Sequence, residues 1–166
     1  MKAIFLKPIL GLNLLLLFVF SAFHSQATEI EILSYAEFEK RIKSDKEGTV
    51  VYNFWATWCK PCVEELPFFD SIAAKYKNEK LKVLLVSIDF ESALNKRVLP
   101  FIANKNVQSE VLIFDDPAQH KWIPKIDKNW SGAIPATYIY KGKKSAFYEK
   151  SFSQQELENV VKPFIN

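Results

Sequence analysis

The sequence predicts a single α/β domain in which one β-sheet is covered by helices on both faces. Apolar, strand-like segments alternate with amphipathic helical segments, and the last third of the chain has the pattern of a hairpin followed by a helix. The length of 166 residues favours one domain with one core. A composition of 49% hydrophobic and 25% charged residues is typical of globular proteins and argues against disorder.

The first 27 residues have the pattern of a secretory signal peptide. Lys2 and Lys7 precede an apolar run over residues 9–23, and Ser25-Gln26-Ala27 places small residues where a signal peptidase cleaves. The alternative is an uncleaved membrane anchor, although a spanning helix needs about 20 apolar residues and this run is shorter. In either case we expect residues 28–166 to form an extracytoplasmic domain, most simply in the periplasm.

The charge of the exported domain gives no indication of a nucleic-acid partner. Removing residues 1–27 takes away two lysines and no acidic residue, which leaves 20 basic against 19 acidic side chains. A nearly neutral surface lacks the basic patch that nucleic-acid binding requires.

Four elements are predicted in the first half of the domain. A capping box at Ser34-Tyr35-Ala36-Glu37 indicates the start of a helix. The β-branched and aromatic run from Thr49 to Trp55 predicts a buried strand. A helix should follow from near Cys59 to about Lys75, kinked at Pro67, and then an almost continuous apolar strand over Lys82–Ile88.

The next segment is predicted to contain a bent helix, a short strand and a short helix. The helix should cover Ser92 to about Lys105, bent or split by Pro100, and the strand Val111–Phe114. Asp115 and Asp116 are predicted to cap the short helix that follows.

The chain should end with a hairpin and an amphipathic helix. Strands over Thr137–Tyr140 and Ser145–Tyr148 flank a turn at residues 141–144. A second capping box, Ser153-Gln154-Gln155-Glu156, starts the last helix. Its inward stripe is predicted to consist of Leu157, Val160, Val161 and Phe164.

The two cysteines are better explained by chemistry than by structural cross-linking. Cys59 and Cys62 lie in one C-x-x-C, and the sequence contains no other cysteine. A disulfide between them closes too small a loop to restrict the unfolded chain much. The pair is therefore predicted to be redox-active.

The position of the pair at the predicted start of a helix distinguishes the two thiols. Unpaired N–H groups and the helix dipole favour a thiolate there, so the pKa of Cys59 should fall below the ordinary value of about 8.5. Lys60 adds a neighbouring positive charge, and Pro61 suits a first helical turn. We therefore predict Cys59 as the nucleophile, Cys62 as the residue that resolves a mixed disulfide, and Lys60 and Pro61 as residues that tune the thiolate.

Three other uses of the cysteines fit the sequence less well. A zinc site needs about four ligands, and after the signal only His120 remains as a further soft ligand, so no metal site is predicted. Haem attachment needs a histidine where Val63 stands. A peroxidase of the peroxiredoxin type would have Pro and Thr in place of Tyr52 and Ala56.

Two motifs give the chain a family resemblance. Trp58-Cys59-Lys60-Pro61-Cys62 after a buried strand resembles the thioredoxin superfamily, and residues 132–137 (Gly-Ala-Ile-Pro-Ala-Thr) resemble its cis-proline loop. Glu64-Glu65-Leu66-Pro67 is similar to the TlpA/ResA-like extracytoplasmic branch. The separation of about 45 residues between Asp89 and Pro135 also matches that branch.

The resemblance implies a fold and a binding groove. It implies a thioredoxin-like fold with a central mixed sheet and an extra helix and strand before the cis-proline loop. It also implies a cis Ile134–Pro135 bond that faces the cysteine pair, with Ala133, Ile134, Pro135 and Trp58 in contact with an extended client segment. Trp130, just before the loop, is a further candidate for the wall of this groove.

Glu65 is the predicted base of the reaction. Cys62 should be buried, where loss of water raises the pKa of a thiol, and Asn53 on the strand beneath cannot take its proton. Residue i+3 shares a helix face with residue i, so Glu65 should follow Cys62 inward while Glu64 faces solvent. The resemblance associates the glutamate at this position with proton handling. The competing interpretation is a solvated charge on the helix surface.

The predicted activity is thiol–disulfide exchange with client proteins. The resemblance implies a monomeric reductase supplied with electrons by a membrane-bound partner, with apocytochrome c as a client. The cysteine pair itself carries the electrons, so no bound cofactor is expected. Two alternatives stay open: a disulfide-forming oxidant, since proteins of this type span about −270 to −120 mV, and a non-enzymatic peptide-binding module.

Overall fold

The computed structural model describes residues 30–44 and 48–165, so the predicted signal peptide lies outside the described residues. The strands are β1 (Glu31–Leu33), β2 (Thr49–Trp55), β3 (Leu81–Ser87), β4 (Glu110–Phe114), β5 (Ala136–Lys141) and β6 (Lys144–Tyr148). The α-helices are α1 (Tyr35–Ser44), α2 (Lys60–Lys75), α3 (Leu99–Lys105), α4 (Gln119–Ile126) and α5 (Gln154–Ile165). No described helix is long and apolar enough to cross a membrane.

The described strands form one mixed sheet, as the resemblance implied. Their order is β1-β4-β3-β2-β5-β6. The pairs β1–β4, β3–β4 and β2–β3 are parallel, whereas β2–β5 and β5–β6 are antiparallel. The helix α3, the strand β4 and the helix α4 lie between β3 and the cis-proline loop, where an extra helix and strand were expected. Because β2 and β3 are parallel neighbours, their carboxyl ends meet at one edge of the sheet.

Helices cover both faces of the sheet, each over its own apolar core. All residues of β2 are buried, and its side chains alternate between the two faces. One core contains Val51 and Trp55 of β2 together with Leu66, Phe69, Leu157, Val161 and Phe164 from α2 and α5. The other contains Tyr52 and Phe54 together with Phe38 from α1 and Trp122 from α4. The side chain of Asn53 therefore belongs to the face covered by α2.

Both predicted capping boxes are present. The backbone N–H of Ser34 donates to the carboxylate of Glu37 at 2.9 Å. At the start of α5, the N–H of Ser153 donates to Glu156 at 2.9 Å, and the N–H of Glu156 donates back to the Ser153 hydroxyl at 3.3 Å. These bonds involve residues three apart, which is why sequence alone located both helix starts.

The helical segment predicted from Ser92 to about Lys105, bent or split by Pro100, is present, and it is split into turns of different helical type. A 3₁₀ turn (Glu91–Ala93) and a π-helical turn (Leu94–Val98) precede α3. Pro100 has no N–H and cannot continue an α-helical ladder through its position. The chain therefore changes its helical type before the proline, and α3 begins only at Leu99.

The predicted capping of α4 by Asp115 and Asp116 is wrong. Ala118 precedes the helix, and no side chain caps it. Asp116 accepts the N–H of Ala118 at 2.9 Å and that of Tyr35 at 3.1 Å. Asp115 accepts the N–H of Glu91 at 2.9 Å. These carboxylates therefore join neighbouring segments, because each finds an N–H donor outside the helix.

Smaller differences concern element boundaries. The hairpin turn is shorter than predicted, since Lys141 and Lys144 already pair across the strands and Gly142 takes a left-handed conformation with φ of 60°. The strand predicted over Lys82–Ile88 begins and ends one residue earlier. The three-residue edge strand β1 was not predicted, because so short a segment carries too little pattern.

Candidate redox site

The site begins at the junction of β2 and α2. Cys59 is the N-cap of α2 in an extended conformation, and its sulfur accepts the N–H of Cys62 at 3.4 Å. The two cysteines form a disulfide in the structure. Cys59 is 6% exposed and Cys62 is fully buried. This difference favours Cys59 as the thiol that a client reaches, while the roles of the two residues remain predictions.

Lys60 and Pro61 lie in the first turn of α2, as predicted, and both are exposed. The ammonium of Lys60 is 3.8 Å from the carboxylate of Glu64, and both side chains point into solvent. Water and this carboxylate screen the lysine charge. We therefore expect the helix N-terminus to influence the Cys59 thiolate more than Lys60 does.

Glu65 is buried, and only 1% of its surface is exposed. Its Oε1 accepts from Asn53 Nδ2 at 3.0 Å, and its Oε2 accepts from the backbone N–H of Phe152 at 2.8 Å. Burial raises the pKa of Glu65 to about 7, and the Phe152 and Asn53 donors act in the opposite direction. The predicted burial of Glu65 is therefore confirmed, and its raised pKa follows from that burial, whereas its role as a base remains a prediction.

Asn53 links the helix carboxylate to the neighbouring strand. Its Nδ2 also donates to Thr137 Oγ1 at 3.3 Å. Thr137 is the residue of β5 that pairs directly with Asn53 in the sheet. Both residues are fully buried, and Asn53 Oδ1 has no hydrogen-bond partner among the described residues. A buried acceptor without a partner costs free energy, so the position of Asn53 destabilises the fold to some extent.

The predicted cis Ile134–Pro135 bond is confirmed. The carbonyl oxygen of Ile134 lies 3.8 Å from Cys59 Sγ, so the loop faces the disulfide. The backbone of Ala133 is already occupied: its N–H donates to Glu149 at 3.2 Å, and its carbonyl accepts from Trp130 Nε1 at 2.8 Å. Of the predicted client-binding residues, Ile134 is therefore the one whose backbone reaches the disulfide.

Glu149 holds this loop in place and was missed by sequence reasoning. Besides the bond to Ala133, its carboxylate accepts the N–H of Ser131 at 3.0 Å and is hydrogen-bonded by the Ser131 hydroxyl. These hydrogen bonds lower the pKa of Glu149, and the bond from the Ser131 hydroxyl has the largest effect. No local pattern connects a residue at the end of β6 to a loop before β5.

Asp89 is a second anchor that was not singled out. It is 2% exposed, and its carboxylate accepts from the N–H and the hydroxyl of Thr57, both at 2.8 Å, and from the Ser87 hydroxyl at 2.9 Å. Thr57 lies two residues before Cys59, so Asp89 fixes the turn that leads into the redox pair. Its position just after β3, beside the end of the parallel strand β2, was the available signal.

The tryptophans near the site differ in exposure. Trp55 is fully buried in the core and Trp58 is 61% exposed beside Cys59. Trp130 is buried and lines a cavity of about 390 Å³ next to the cis-proline loop. His120 lies exposed on α4.

Residues 29–99 match the family model named Thioredoxin. The chain is similar to the thiol-disulfide oxidoreductase ResA of Oceanobacillus iheyensis, with 47% identity over 47 residues, which is 28% of this chain and 24% of that protein. It is also similar to the thioredoxin-like protein YneN of Bacillus subtilis, with 30% identity over 90 residues, which is 53% and 51% of the two chains. The matches thus span about a quarter to a half of these relatives.

Among solved structures, the chain resembles a secreted Mycobacterium tuberculosis disulfide oxidoreductase described as homologous to Escherichia coli DsbE. The TM-score is 0.56 at 22% identity, covering 73% of this chain and 85% of that one. This likeness establishes the thioredoxin-like fold. With the sequence matches and the cis-proline loop beside the C-x-x-C, the chain is similar to proteins of the thioredoxin superfamily, and among them to the TlpA/ResA-like branch.

Proposed function

We propose that this protein is an extracytoplasmic thiol–disulfide oxidoreductase that reduces disulfides of client proteins. The observation that supports this most is the Cys59–Cys62 disulfide at the start of α2, in contact with the carbonyl of Ile134. A cysteine pair at a helix N-terminus beside the cis-proline loop can exchange disulfides with a polypeptide that lies against that loop. The signal-like N-terminus and the secreted M. tuberculosis neighbour support export.

The reaction consists of two exchanges. The Cys59 thiolate attacks one sulfur of a client disulfide, and the other client sulfur leaves as a thiolate that takes up a proton. Cys62 then loses its proton and attacks Cys59, which releases the second client thiol. The client disulfide has gained two electrons, and Cys59–Cys62 is oxidised. A dithiol donor must then reduce the pair, and we propose a membrane-bound one.

Glu65 is the proposed base for the second exchange. A thiol as buried as Cys62 does not ionise readily without a proton acceptor. A carboxyl group with a pKa of about 7 takes up and releases a proton near neutral pH, which is what this step requires. Asn53 and Phe152 fix the carboxylate in one orientation. No bound cofactor is needed in this scheme, because the cysteines carry the electrons.

The client class follows from the family resemblance. A relative with 47% identity over its matched segment is a ResA protein, and the TlpA/ResA-like branch suggests apocytochrome c, whose cysteines must be reduced before haem attachment. We therefore propose that clients with a vicinal pair of cysteines are preferred substrates.

The test is reduction of a client disulfide with dithiothreitol as electron donor, together with the reduction potential of the Cys59–Cys62 pair. A potential near −270 mV with catalytic turnover supports a reductase. A potential near −120 mV would replace this proposal with an oxidant. Absence of any exchange would leave a peptide-binding module.

A further inference from the structure

A cavity opens beside the redox pair on the side of the sheet covered by α4. Its volume is about 390 Å³, within the range of about 300–1,000 Å³ typical of ligand pockets. The lining residues come from the turn before Cys59, the segment after β3, helix α4 and the cis-proline loop: Trp58, Ile88, Phe90, Gln119, Trp122, Ile123, Trp130, Gly132, Ala133 and Ile134. The pocket is thus assembled from four separate segments of the chain.

The rim of this pocket carries exposed aromatic rings. Among the described residues, the exposed large apolar side chains are Ile32, Trp58, Phe90 and Leu99, and Trp58 and Phe90 both border the pocket. Phe90 is 70% exposed and Trp58 is 61% exposed. Large apolar side chains that cluster on a surface mark a contact site.

Asp89 holds both rim residues in position. It is the residue directly before Phe90, and it accepts the N–H of Thr57, the residue directly before Trp58, at 2.8 Å. A bond from the Ser87 hydroxyl, also to Asp89, fixes the base of the segment at the end of β3. The two aromatic rings therefore extend from backbone that is already ordered, which reduces the entropy lost when a ligand binds.

The pocket is lined mainly by apolar side chains. The buried rings of Trp122 and Trp130 are among them, Gln119 is polar, and none of the described lining residues is charged. Trp122 Nε1 donates to the carbonyl of Asp116 at 3.0 Å, and Trp130 Nε1 donates to that of Ala133 at 2.8 Å. Because both indole N–H groups are used internally, these side chains offer ring surface rather than hydrogen-bond donors. The occupant of the pocket should be an uncharged, apolar group.

Ile134 connects the pocket to the redox pair. It lines the pocket, and its carbonyl lies 3.8 Å from Cys59 Sγ. A client segment whose cysteine is bonded to Cys59 must therefore pass the mouth of the pocket. We propose that this pocket selects clients by binding one bulky apolar side chain, preferably aromatic, that lies within two residues of the exchanging cysteine. This inference rests on the proposed function, since it assumes that a client is bound at Cys59.

The experiment compares disulfide-containing peptides that differ at one position. Phe or Ser is placed in turn at each of the two residues before and after the reacting cysteine, and kcat/KM is measured with dithiothreitol as the electron donor. For at least one position we expect Phe to be preferred by about ten-fold or more, because burying an aromatic side chain is worth at least that factor. A preference below about three-fold at every position would overturn the proposal.

Variants locate the preference on the protein. Phe90→Ser should reduce the Phe-over-Ser ratio to about three-fold or less. Leu99→Ser is the matched control, because Leu99 is exposed but does not line the pocket. An unchanged ratio in Phe90→Ser, or an equal loss in Leu99→Ser, would contradict the assignment. Exchange with 5,5′-dithiobis(2-nitrobenzoate), which has no aromatic side chain near a cysteine, tests the redox function separately from the pocket. If the reduced parent protein does not exchange with this reagent, the proposed function itself is refuted.

Discussion

Replacing Glu65 by glutamine should change how the stability of the protein depends on pH. The structure gives this carboxyl group a pKa of about 7, against an ordinary value of 4.5, mainly because burial disfavours its charge. Between these values the folded protein binds more protons than the unfolded chain. The free energy of unfolding should therefore fall as pH rises from about 4.5 to about 7.

The magnitude follows from the difference between the two pKa values. Each pKa unit is worth about 1.4 kcal/mol, so ionising Glu65 in the folded protein lowers the free energy of unfolding by about 3 kcal/mol above pH 7. Glutamine has no charge to bury, and this loss should be absent from the variant. Its amide has one acceptor for the two donors of Asn53 and Phe152, which costs about 1–3 kcal/mol at any pH. The variant should therefore be less stable than the parent at pH 4, and the gap should narrow or reverse by pH 8.

The assay is urea unfolding of the disulfide form at several values between pH 4 and pH 8. Glu64→Gln is the matched control, because the side chain of Glu64, next to Glu65 in the sequence, is 65% exposed. We expect the stability of this variant to depend on pH as that of the parent does. A constant difference between parent and Glu65→Gln across this range would refute the raised pKa. In the reaction itself, Glu65→Gln should slow resolution of a mixed disulfide by about 100-fold near neutral pH. An unchanged rate and pH midpoint would show that water accepts the proton.

Two further predictions concern the cysteine pair and the cis-proline loop. With a model disulfide, Cys62→Ser should accumulate a mixed disulfide on Cys59, whereas Cys59→Ser should accumulate none. Mass spectrometry detects these adducts. Equal amounts of adduct on Cys62 in Cys59→Ser would reverse the assignment. Glu149→Gln should raise KM for a peptide disulfide by about five-fold, the equivalent of about 1 kcal/mol, because it weakens the bonds to Ser131 and Ala133. If kcat falls while KM stays constant, the loop is not held for client binding.

The parts of the fold that the sequence predicted are those set by neighbouring residues. β2 is a continuous buried run, and both capping boxes join residues three apart, so their hydrogen bonds are visible as local patterns. The π-helical turn before Pro100 was not predicted, because proline shows where a helix is interrupted but not which hydrogen bonds replace it.

The site was predicted only in part for a related reason. Cys59, Cys62 and Glu65 lie within two turns of one helix, where spacing determines the shared face. The partners of Glu65 come from further away, since Phe152 is 87 residues along the chain. The anchoring carboxylates Asp89 and Glu149 likewise act on segments that only the folded sheet brings close. Tertiary contacts of this kind leave no periodic pattern.

Replacing Asn53 on β2 by aspartate gives the strongest test of the contact between Asn53 and Glu65. Many thioredoxins have an aspartate where Asn53 stands, so Asn53→Asp places a second carboxyl group about 3 Å from Glu65 Oε1, the distance now spanned by Asn53 Nδ2. Two carboxylates this close cannot both ionise readily, and the pair should retain one proton well above pH 7.

The pH dependence of Asn53→Asp should then differ from that of the parent in a defined direction. Because the folded variant keeps a proton that the unfolded chain has released, its free energy of unfolding should continue to fall above pH 7, where the contribution of Glu65 in the parent levels off. Asn53→Leu is the control, since it removes the amide donor without adding a charge. Urea unfolding from pH 5 to pH 9 measures the difference. A variant curve parallel to that of the parent would refute the expected interaction between a carboxyl group at position 53 and Glu65.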